Sequence, residues 1–367
     1  MRGAASKIGA FVLAYNPTKQ IGSGGYGEVW LGTRSTDGQE FAIKYLRDGR
    51  DAESLSRFQR EVRCLAKLNH PNVIRVVAKQ LLAVPYYYVM PIYQHCLFDQ
   101  FPGIVGDNAR IRKIFGAVLE ALRYAHSEGV IHRDLKPENV LLNSDDDVVV
   151  SDFGLGRIID SRSTRLTVSG RAMGTPFYCA PEQFLDAKRA DELSDIFSLG
   201  RILYELYAGE LTAAAPDWRD VPAPIATIIE RATARKPGDR IQSVASMIEA
   251  FESAMEVVLG DVEAGSLESL IEEIQRDPTE LPAKVSKLAT LLSKYADEGD
   301  SVHSALMKLP PFVFAELERY STTLARRLIT TFSEFLRSQA WPFSYTDEVS
   351  SVCSGFFRIS GNPEIRS

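Results

Sequence analysis

The sequence has few cysteines, no long apolar run and no excess of positive charge. Its four cysteines, Cys64, Cys96, Cys179 and Cys353, are far apart and include no Cys-x-x-Cys pair. This spacing offers no cysteine-based zinc site and suits a reducing compartment. The formal net charge of −6 argues against binding to nucleic acid or anionic membranes through bulk charge.

No apolar run approaches the roughly 20 residues that a transmembrane helix requires. The apolar stretch at residues 8–14 follows basic residues, but it is short for a signal peptide and lacks a convincing cleavage site, so we expect an edge strand. The 367 residues are 45% hydrophobic and 25% charged, which are ordinary values for globular domains. These features predict a cytoplasmic protein with a sizeable core.

Residues 132–139 read HRDLKPEN and lie between a helical pattern and an apolar run. At steps of two and three residues, Asp134, Lys136 and Asn139 cannot share one helix face, but an extended loop can bring them together. Phosphoryl transfer from ATP needs this combination: a carboxylate for the incoming hydroxyl, a cation for the moving phosphate and an oxygen ligand for magnesium.

A glycine-rich stretch, IGSGGYGEVWL, occupies residues 21–31. Dinucleotide-binding folds also use G-x-G-x-x-G, but there the motif opens a helix. Here residues 28–31 alternate between polar and apolar, which predicts a strand. We expect a hairpin whose backbone approaches phosphates closely, because glycine has no Cβ. For this motif taken alone, an ordinary glycine hairpin remains the alternative.

A short apolar strand, residues 41–44, ends on Lys44, and the helical pattern that follows contains Glu61. A lysine in a strand is more often a solvated surface residue. Its functional interpretation therefore depends on a partner, for which Glu61 is preferred over Glu53 at the start of the helix.

Three further motifs follow in order: SDFG at residues 151–154, GTPFYCAPE at 174–182 and SDIFSLG at 194–200. Together with the loop and the glycine-rich stretch, they resemble the motifs of eukaryotic-like (Hanks-type) serine/threonine protein kinases, over residues 15 to about 255. Lys136 and Thr175 match the serine/threonine class, and the Gln183 that follows the third motif has a bacterial character.

The resemblance implies an α+β fold with the two lobes of a protein kinase. These would be an N-lobe with a small antiparallel sheet (residues 15–90), a hinge (91–95) and a mainly helical C-lobe (96–259). A lead-in of residues 1–14 would precede them, and an all-α extension of residues 260–367, of no recognised family, would follow. We expect the extension to recruit a protein partner or substrate.

The resemblance also implies site residues, with ATP and a protein carrying serine or threonine as substrates and no nucleic acid as partner. Asp134, Lys136, Asn139 and Asp152 would be catalytic, with Asn139 and Asp152 holding Mg²⁺, or Mn²⁺ as an alternative. In this family, an aspartate at the position of Asp195 ties down the backbone of the catalytic loop. The ATP site would consist of Ile21, Gly22, Ser23, Gly24, Gly25, Tyr26, Gly27, Val29, Ala42, Lys44, Glu61, Met90, Pro91, Tyr93 and Leu141.

Regulation would centre on Arg133 and Arg157, two cations that a phosphate on the activation segment would neutralise. Thr167 and Ser169 are the expected phosphorylation sites, and Ser161, Ser163 and Thr164 are less well placed. Two other functions remain open. A pseudokinase scaffold would act through the helical extension, and a small-molecule kinase of related fold usually lacks the docking loop at residues 175–182.

Overall fold

The computed structural model describes most of the chain. The described residues are 14–23, 27–47, 51–153, 176–185, 190–209, 211, 217–260, 266–339, 349–350 and 352–354. The predicted edge strand at residues 8–14, apart from residue 14 itself, and the predicted phosphorylation sites therefore lie outside the described residues. By packing, the chain divides into one compact unit of residues 1–103 and 113–199 and another of residues 104–112 and 200–367.

The first unit begins with the antiparallel sheet that the sequence predicts. Its strands are β1 (Tyr15–Ser23), β2 (Gly27–Arg34), β3 (Glu40–Leu46), β4 (Ala78–Gln80) and β5 (Tyr87–Pro91), in the order β1-β2-β3-β5-β4. Helix α1 (Ala52–Leu65) connects β3 to β4 and carries Glu61. Residues Phe58, Val62 and Leu65 of α1 are buried, which confirms the apolar stripe expected of this helix.

The apolar residues at 73–78 predict a strand, but most of this segment lies outside one in the structure. Strand β4 begins only at Ala78, while Val73 makes an isolated parallel bridge with Val150. The amide of Ile74 donates to Val150 O at 3.0 Å, and the amide of Val150 donates to Asn72 O at 2.8 Å. The strand predicted over this segment is therefore wrong except at Ala78, and residues 72–74 pair instead with the end of the strand that leads to Asp152.

A smaller sheet and several helices complete the first unit. The small sheet has strands β6 (His95–Cys96), β7 (Val140–Ser144) and β8 (Asp147–Val150), in that order. The helices, some of which continue into the second unit, are α2 (Leu97–Ile104), α3 (Asn108–Ser127), α4 (Pro181–Leu185) and α5 (Glu192–Ala208). The loop at residues 132–139 thus connects α3 to β7, where the sequence predicts it.

All of the α- and β-structure in the described residues of the second unit is helical. After α5 it contains α6 (Ala223–Ala232), α7 (Val244–Val258), α8 (Ser266–Arg276), α9 (Leu281–Lys294), α10 (Gly299–Lys308), α11 (Pro311–Tyr320) and α12 (Thr322–Ser338). This agrees with the expected mainly helical C-lobe and all-α extension. None of the helices in the described part of the chain combines the length and hydropathy of a membrane span.

The extension has more helices than its apolar pattern predicts. The stripe from Leu317 to Phe332 predicts one long helix, but the chain breaks at Ser321 between α11 and α12. Ser321 is extended at φ −153°, and its hydroxyl accepts from the amide of Leu324, so it acts as an N-cap. Helix α10 escapes prediction because it is short and buries only three residues, Val302, Ala305 and Leu306.

The core of the extension continues into the last helix of the C-lobe. Val257 of α7 belongs to the same buried cluster as the apolar residues of α8 to α12. On α6, the guanidinium of Arg231 lies 4.0 Å from the ring centroid of Tyr320, and Glu230 accepts hydrogen bonds from Ser321 and Thr323. The hydrophobic core thus crosses residue 260, and the domain boundary there stays a prediction.

We expect the extension to contribute directly to stability through Phe314, which is fully buried on α11, whereas Phe312 on the same helix is 40% exposed. Phe314→Ala should lower the free energy of unfolding by about 3–5 kcal/mol, because it leaves a cavity in the shared core. Phe312→Ala is the matched control and should cost about 1 kcal/mol or less. Urea unfolding of the full chain measures both, and equal losses would contradict this packing.

Candidate active site

The loop between α3 and β7 is held from beneath by Asp195 of α5. Its Oδ2 accepts from the amide of His132 and its Oδ1 from the amide of Arg133, both at 2.8 Å. The Nε2 of His126 also donates to Oδ2 at 2.8 Å. Asp195 is fully buried, so these three donors compensate the cost of removing its carboxylate from water. The predicted tie between Asp195 and the loop backbone is confirmed.

Arg133, next to the predicted base, and Asp152, a predicted metal ligand, have left-handed backbones. Arg133 has φ 68° and Asp152 has φ 61°, a region that costs a non-glycine residue about 1–3 kcal/mol. The surrounding hydrogen bonds fix both. The carbonyl of Arg133 accepts from Gln183 Nε2 at 2.9 Å, and the carbonyl of Ser151, just before Asp152, accepts from His132 Nε2 at 2.8 Å. Each strained residue is thus adjacent to anchored backbone.

The loop brings together the three side chains that the sequence analysis selected from it. Lys136 Nζ lies 3.3 Å from Asp134 Oδ2. Asn139 Nδ2 donates to the backbone carbonyl of Asp134 at 2.7 Å. This bond uses the NH2 group of the amide and leaves its oxygen, Oδ1, as the group that could bind a metal ion. The carboxylate of Asp134 and the ammonium group of Lys136 are therefore close together, and the side chain of Asn139, in the 3-10 turn Pro137–Asn139, is tied to the backbone of Asp134.

A buried ion pair joins β3 to α1. Lys44 Nζ lies 2.8 Å from Glu61 Oε1 and 2.7 Å from Asp152 Oδ1. The lysine and the glutamate are buried, whereas the side chain of Asp152 is 34% exposed. Glu61 is thus the partner that the sequence analysis preferred for Lys44, and the SDFG motif contributes the second carboxylate.

The pKa values of Lys44, Glu61 and Asp152 depend on one another. Burial alone lowers the pKa of Lys44, but Asp152 and Glu61 together raise that pKa well above its usual value. Burial raises the pKa of Glu61 although Lys44 opposes the shift. Burial also acts to raise the pKa of Asp152, but Lys44 more than offsets it and that pKa is lowered. The lysine stays protonated, and Asp152 stays ionised.

The oxygens of Asn139 and Asp152 fit a magnesium ion. Mg²⁺ commonly takes one or two protein oxygen ligands and completes its shell with water and phosphate oxygens. The fixed amide of Asn139 and the ionised, partly exposed carboxylate of Asp152 match that donor set. Within the described ranges, no group of three or more histidine, cysteine, aspartate or glutamate side chains forms a denser metal site.

The predicted ATP-site residues that the structure describes lie on β1, β2, β3, α1 (Glu61), β5, the segment after β5, and β7. Val29 is the Cα partner of Lys44, and Ala42 is the partner of Met90. Gly27 has a structural reason to be glycine, because a Cβ there would lie 2.6 Å from the carbonyl oxygen of Tyr45. Gly24, Gly25 and Tyr26 lie outside the described residues. The remaining members of this set are Ile21, Gly22 and Ser23 on β1, Pro91 on β5, Tyr93 after it and Leu141 on β7. Their contacts with nucleotide stay predictions.

Two residues of this region had no assigned role in the sequence analysis. Gln183 accepts from the amide of Ala180 and donates to the carbonyl of Arg133, so it joins the docking loop to the catalytic loop. Tyr88 is fully buried, and its hydroxyl donates to Glu61 Oε1 at 3.0 Å. In the sequence, Tyr88 is marked only by its place between Tyr87 and Val89 in a strand pattern. Gln183 is marked only by its position directly after Ala-Pro-Glu.

Comparison with known proteins places this geometry in a family. The model of the protein kinase domain matches residues 15–274. The probable serine/threonine-protein kinase CE0033 of Corynebacterium efficiens is 31% identical over 65% of this chain and 41% of its own length. The serine/threonine-protein kinase pkn3 of Myxococcus xanthus is 34% identical over 66% of this chain and 50% of its own.

The probable serine/threonine-protein kinase PknB of Lactococcus lactis is 35% identical over 55% of this chain and 32% of its own length. The chain thus spans half or less of the length of these curated relatives. The family model nevertheless covers well over half of the chain, including every element that carries Lys44, Glu61, Asp134 and Asp152. The chain therefore belongs to the protein kinase family.

Proposed function

We propose that this protein transfers the γ-phosphoryl group of ATP to serine or threonine hydroxyls of proteins. The observation that carries the proposal is the position of Lys44, which contacts both Glu61 and Asp152. In protein kinases the strand lysine, the helix glutamate and the metal-binding aspartate must all be in place for transfer. The serine/threonine kinases among the relatives support the same reaction.

The chemistry falls to residues of the catalytic loop. Asp134 would orient the substrate hydroxyl and accept its proton, while Lys136, 3.3 Å away, would stabilise charge on the transferring group. Magnesium, or manganese in its place, neutralises phosphate charge when it is bound, and Asn139 and Asp152 would hold it. The protein mainly supplies positioning and charge, because little covalent chemistry is required of it.

The nucleotide would lie against the sheet of the N-lobe. Lys44 would hold the α- and β-phosphates, and the glycine-rich hairpin would cover them. Met90 would limit the depth of the adenine pocket, with Pro91 O and Tyr93 N as hydrogen-bonding groups for the base. We propose a cytoplasmic location and recruitment of a protein partner or substrate by the extension. The shared core of α7 to α12 implies that a partner binds an extension that is already folded.

The intact site favours catalysis over the alternatives. A pseudokinase scaffold would be expected to lack a charged residue of the site, whereas the lysine, both carboxylates and the loop residues are present and close together. A small-molecule kinase would be expected to lack the docking loop. Here that loop contacts the catalytic loop through Gln183.

The first test replaces the proposed base. Asp134→Asn should leave ATP binding nearly unchanged and lower phosphoryl transfer about 10²–10⁴-fold, because the amide cannot accept the proton. The measurement uses labelled ATP, magnesium and a generic protein substrate. Asp146→Asn is the matched control, since Asp146 is exposed and pairs with Lys113 away from the loop. Near-native turnover in Asp134→Asn would contradict the assignment.

The activation segment would be a phosphate switch. Nε of Arg133 is buried and has no hydrogen-bond partner among the described residues, although its backbone is anchored on both sides. A phosphate of about −2 charge has three acceptor oxygens and would pair with this guanidinium and with Arg157. We propose that Thr167 or Ser169, which lie outside the described residues, supplies it through autophosphorylation in trans.

Mass spectrometry tests the switch. Phosphate at Thr167 or Ser169 should appear in active protein and be absent from Asp134→Asn protein, since only the active form can add it. Replacing both residues with alanine should slow substrate turnover. Ser161→Ala with Thr164→Ala is the matched control and should leave turnover close to wild type. Full activity without Thr167 and Ser169, with no phosphate anywhere between Leu155 and Tyr178, would refute the proposal.

A further inference from the structure

Tyr88 lies directly across the sheet from Lys44. Strands β3 and β5 pair in antiparallel register, and Tyr88 is the Cα partner of Lys44. Such partners project to the same face of a sheet, so the tyrosine ring lies beside the lysine chain, with Nζ 5.8 Å from the ring centroid. The ring of Phe58 on α1 packs against Tyr88 at 5.8 Å between centroids. The tyrosine is thus enclosed by the elements that carry the ion pair.

The hydroxyl of Tyr88 reaches the carboxylate that binds Lys44. It donates to Glu61 Oε1 at 3.0 Å, the same oxygen that accepts from Lys44 Nζ at 2.8 Å. Its distance to Asp152 Oδ1 is 3.5 Å. A phenol has a single proton to donate, so Glu61 is its principal acceptor. A phenylalanine would be enough to fill this position by packing. The hydroxyl of Tyr88 therefore points to a role in the hydrogen bond with Glu61.

The charges around Lys44 explain what this hydroxyl can contribute. One ammonium group serves two carboxylates, and of these Asp152 is the proposed magnesium ligand. Asp152 would be shared between Lys44 and the metal ion, so Glu61 is the carboxylate whose position depends on Lys44 and not on the metal. With the lysine shared, Glu61 gains from a second, neutral donor, since hydrogen bonds to a charged group in a buried site are stronger than those between neutral groups.

We propose that Tyr88 is a positioning residue for phosphoryl transfer, whose hydroxyl fixes the carboxylate of Glu61 and thereby orients Lys44 toward the nucleotide phosphates. The inference rests on the proposed kinase activity and assigns Tyr88 no contact with substrate. Because Lys44 would act on the nucleotide, loss of the hydroxyl affects ATP and leaves recognition of the protein substrate unchanged.

Tyr88→Phe in the full chain removes only the hydroxyl. We expect the KM for ATP to rise about tenfold, the effect of losing one hydrogen bond to a charged group. The kcat and the KM for the protein substrate stay close to wild type. Calorimetric titration with magnesium and a non-hydrolysable ATP analogue measures binding without turnover, and the Kd for the analogue should also rise about tenfold. A variant that merely lost folded protein would lower kcat and leave the KM for ATP unchanged.

Tyr45→Phe is the matched control. Tyr45 is also buried, lies next to Lys44 on β3 and belongs to the cluster on the other side of the sheet with Val89. Its hydroxyl has no hydrogen-bond partner in the part of the chain that the structure describes. The same chemical change should therefore leave the KM for ATP and the affinity for the analogue unchanged.

A double-mutant cycle with Glu61→Ala shows whether the hydroxyl acts through Glu61. In that background, adding Tyr88→Phe should weaken analogue binding by less than about twofold, because the acceptor has already been removed. Equal weakening in both backgrounds would overturn the inference, and so would an unchanged KM for ATP in Tyr88→Phe. Wild-type and Tyr45→Phe chains that bind the analogue and transfer no phosphate would instead refute the kinase proposal.

Discussion

The burial of Lys44 is the constraint on which the arrangement of the site depends. An ammonium group removed from water costs several kcal/mol unless it is paired and hydrogen-bonded. Here two carboxylates from distant parts of the sequence, Glu61 on α1 and Asp152 after β8, satisfy it at 2.8 and 2.7 Å. A strand, a helix and the SDFG motif are therefore linked through one charge, and displacing either carboxylate would leave Lys44 incompletely paired.

A second polar centre holds the catalytic loop. The buried carboxylate of Asp195 accepts hydrogen bonds from two loop amides and one imidazole, while Gln183 donates a hydrogen bond to the carbonyl of Arg133. These bonds anchor the left-handed backbone at Arg133, which no local preference of the sequence favours. Rigid support of this kind would let Asp134, Lys136 and Asn139 take their proposed roles without losing conformational entropy when substrate binds.

The parts that were predictable from sequence are those encoded by contiguous residues or by a simple period. The loop at residues 132–139 and the strand ending at Lys44 carry their chemistry within a few positions, and the stripe of α1 identifies the face that bears Glu61. Residues whose roles depend on pairing between distant strands were not predictable. Tyr88 looks like any core aromatic until the register of β3 and β5 places it opposite Lys44.

The same difference between local and long-range information explains where the sequence-based predictions of secondary structure are wrong. The segment at Val73 has the composition of a strand, but composition cannot specify its partner, which is Val150. In the extension, a continuous apolar stripe hides the break at Ser321, because the break depends on a capping hydroxyl. Helix α10 has a narrow stripe, and Gly299 at its start lies so close to α12 that a Cβ would approach Phe335 to 2.6 Å. Only the packed structure contains that information.

The packing of the extension bears on the way it could take part in regulation. Its core includes Val257 of the C-lobe, and Glu230 and Arg231 of α6 contact the start of α12 and the end of α11. Residues that share a packed core are coupled energetically, whereas a tethered independent domain is not. A partner that bound the folded extension more tightly than its unfolded form would therefore also stabilise α6 and α7, by linkage. Recruitment and stabilisation of the C-lobe helices would then be two effects of one binding event.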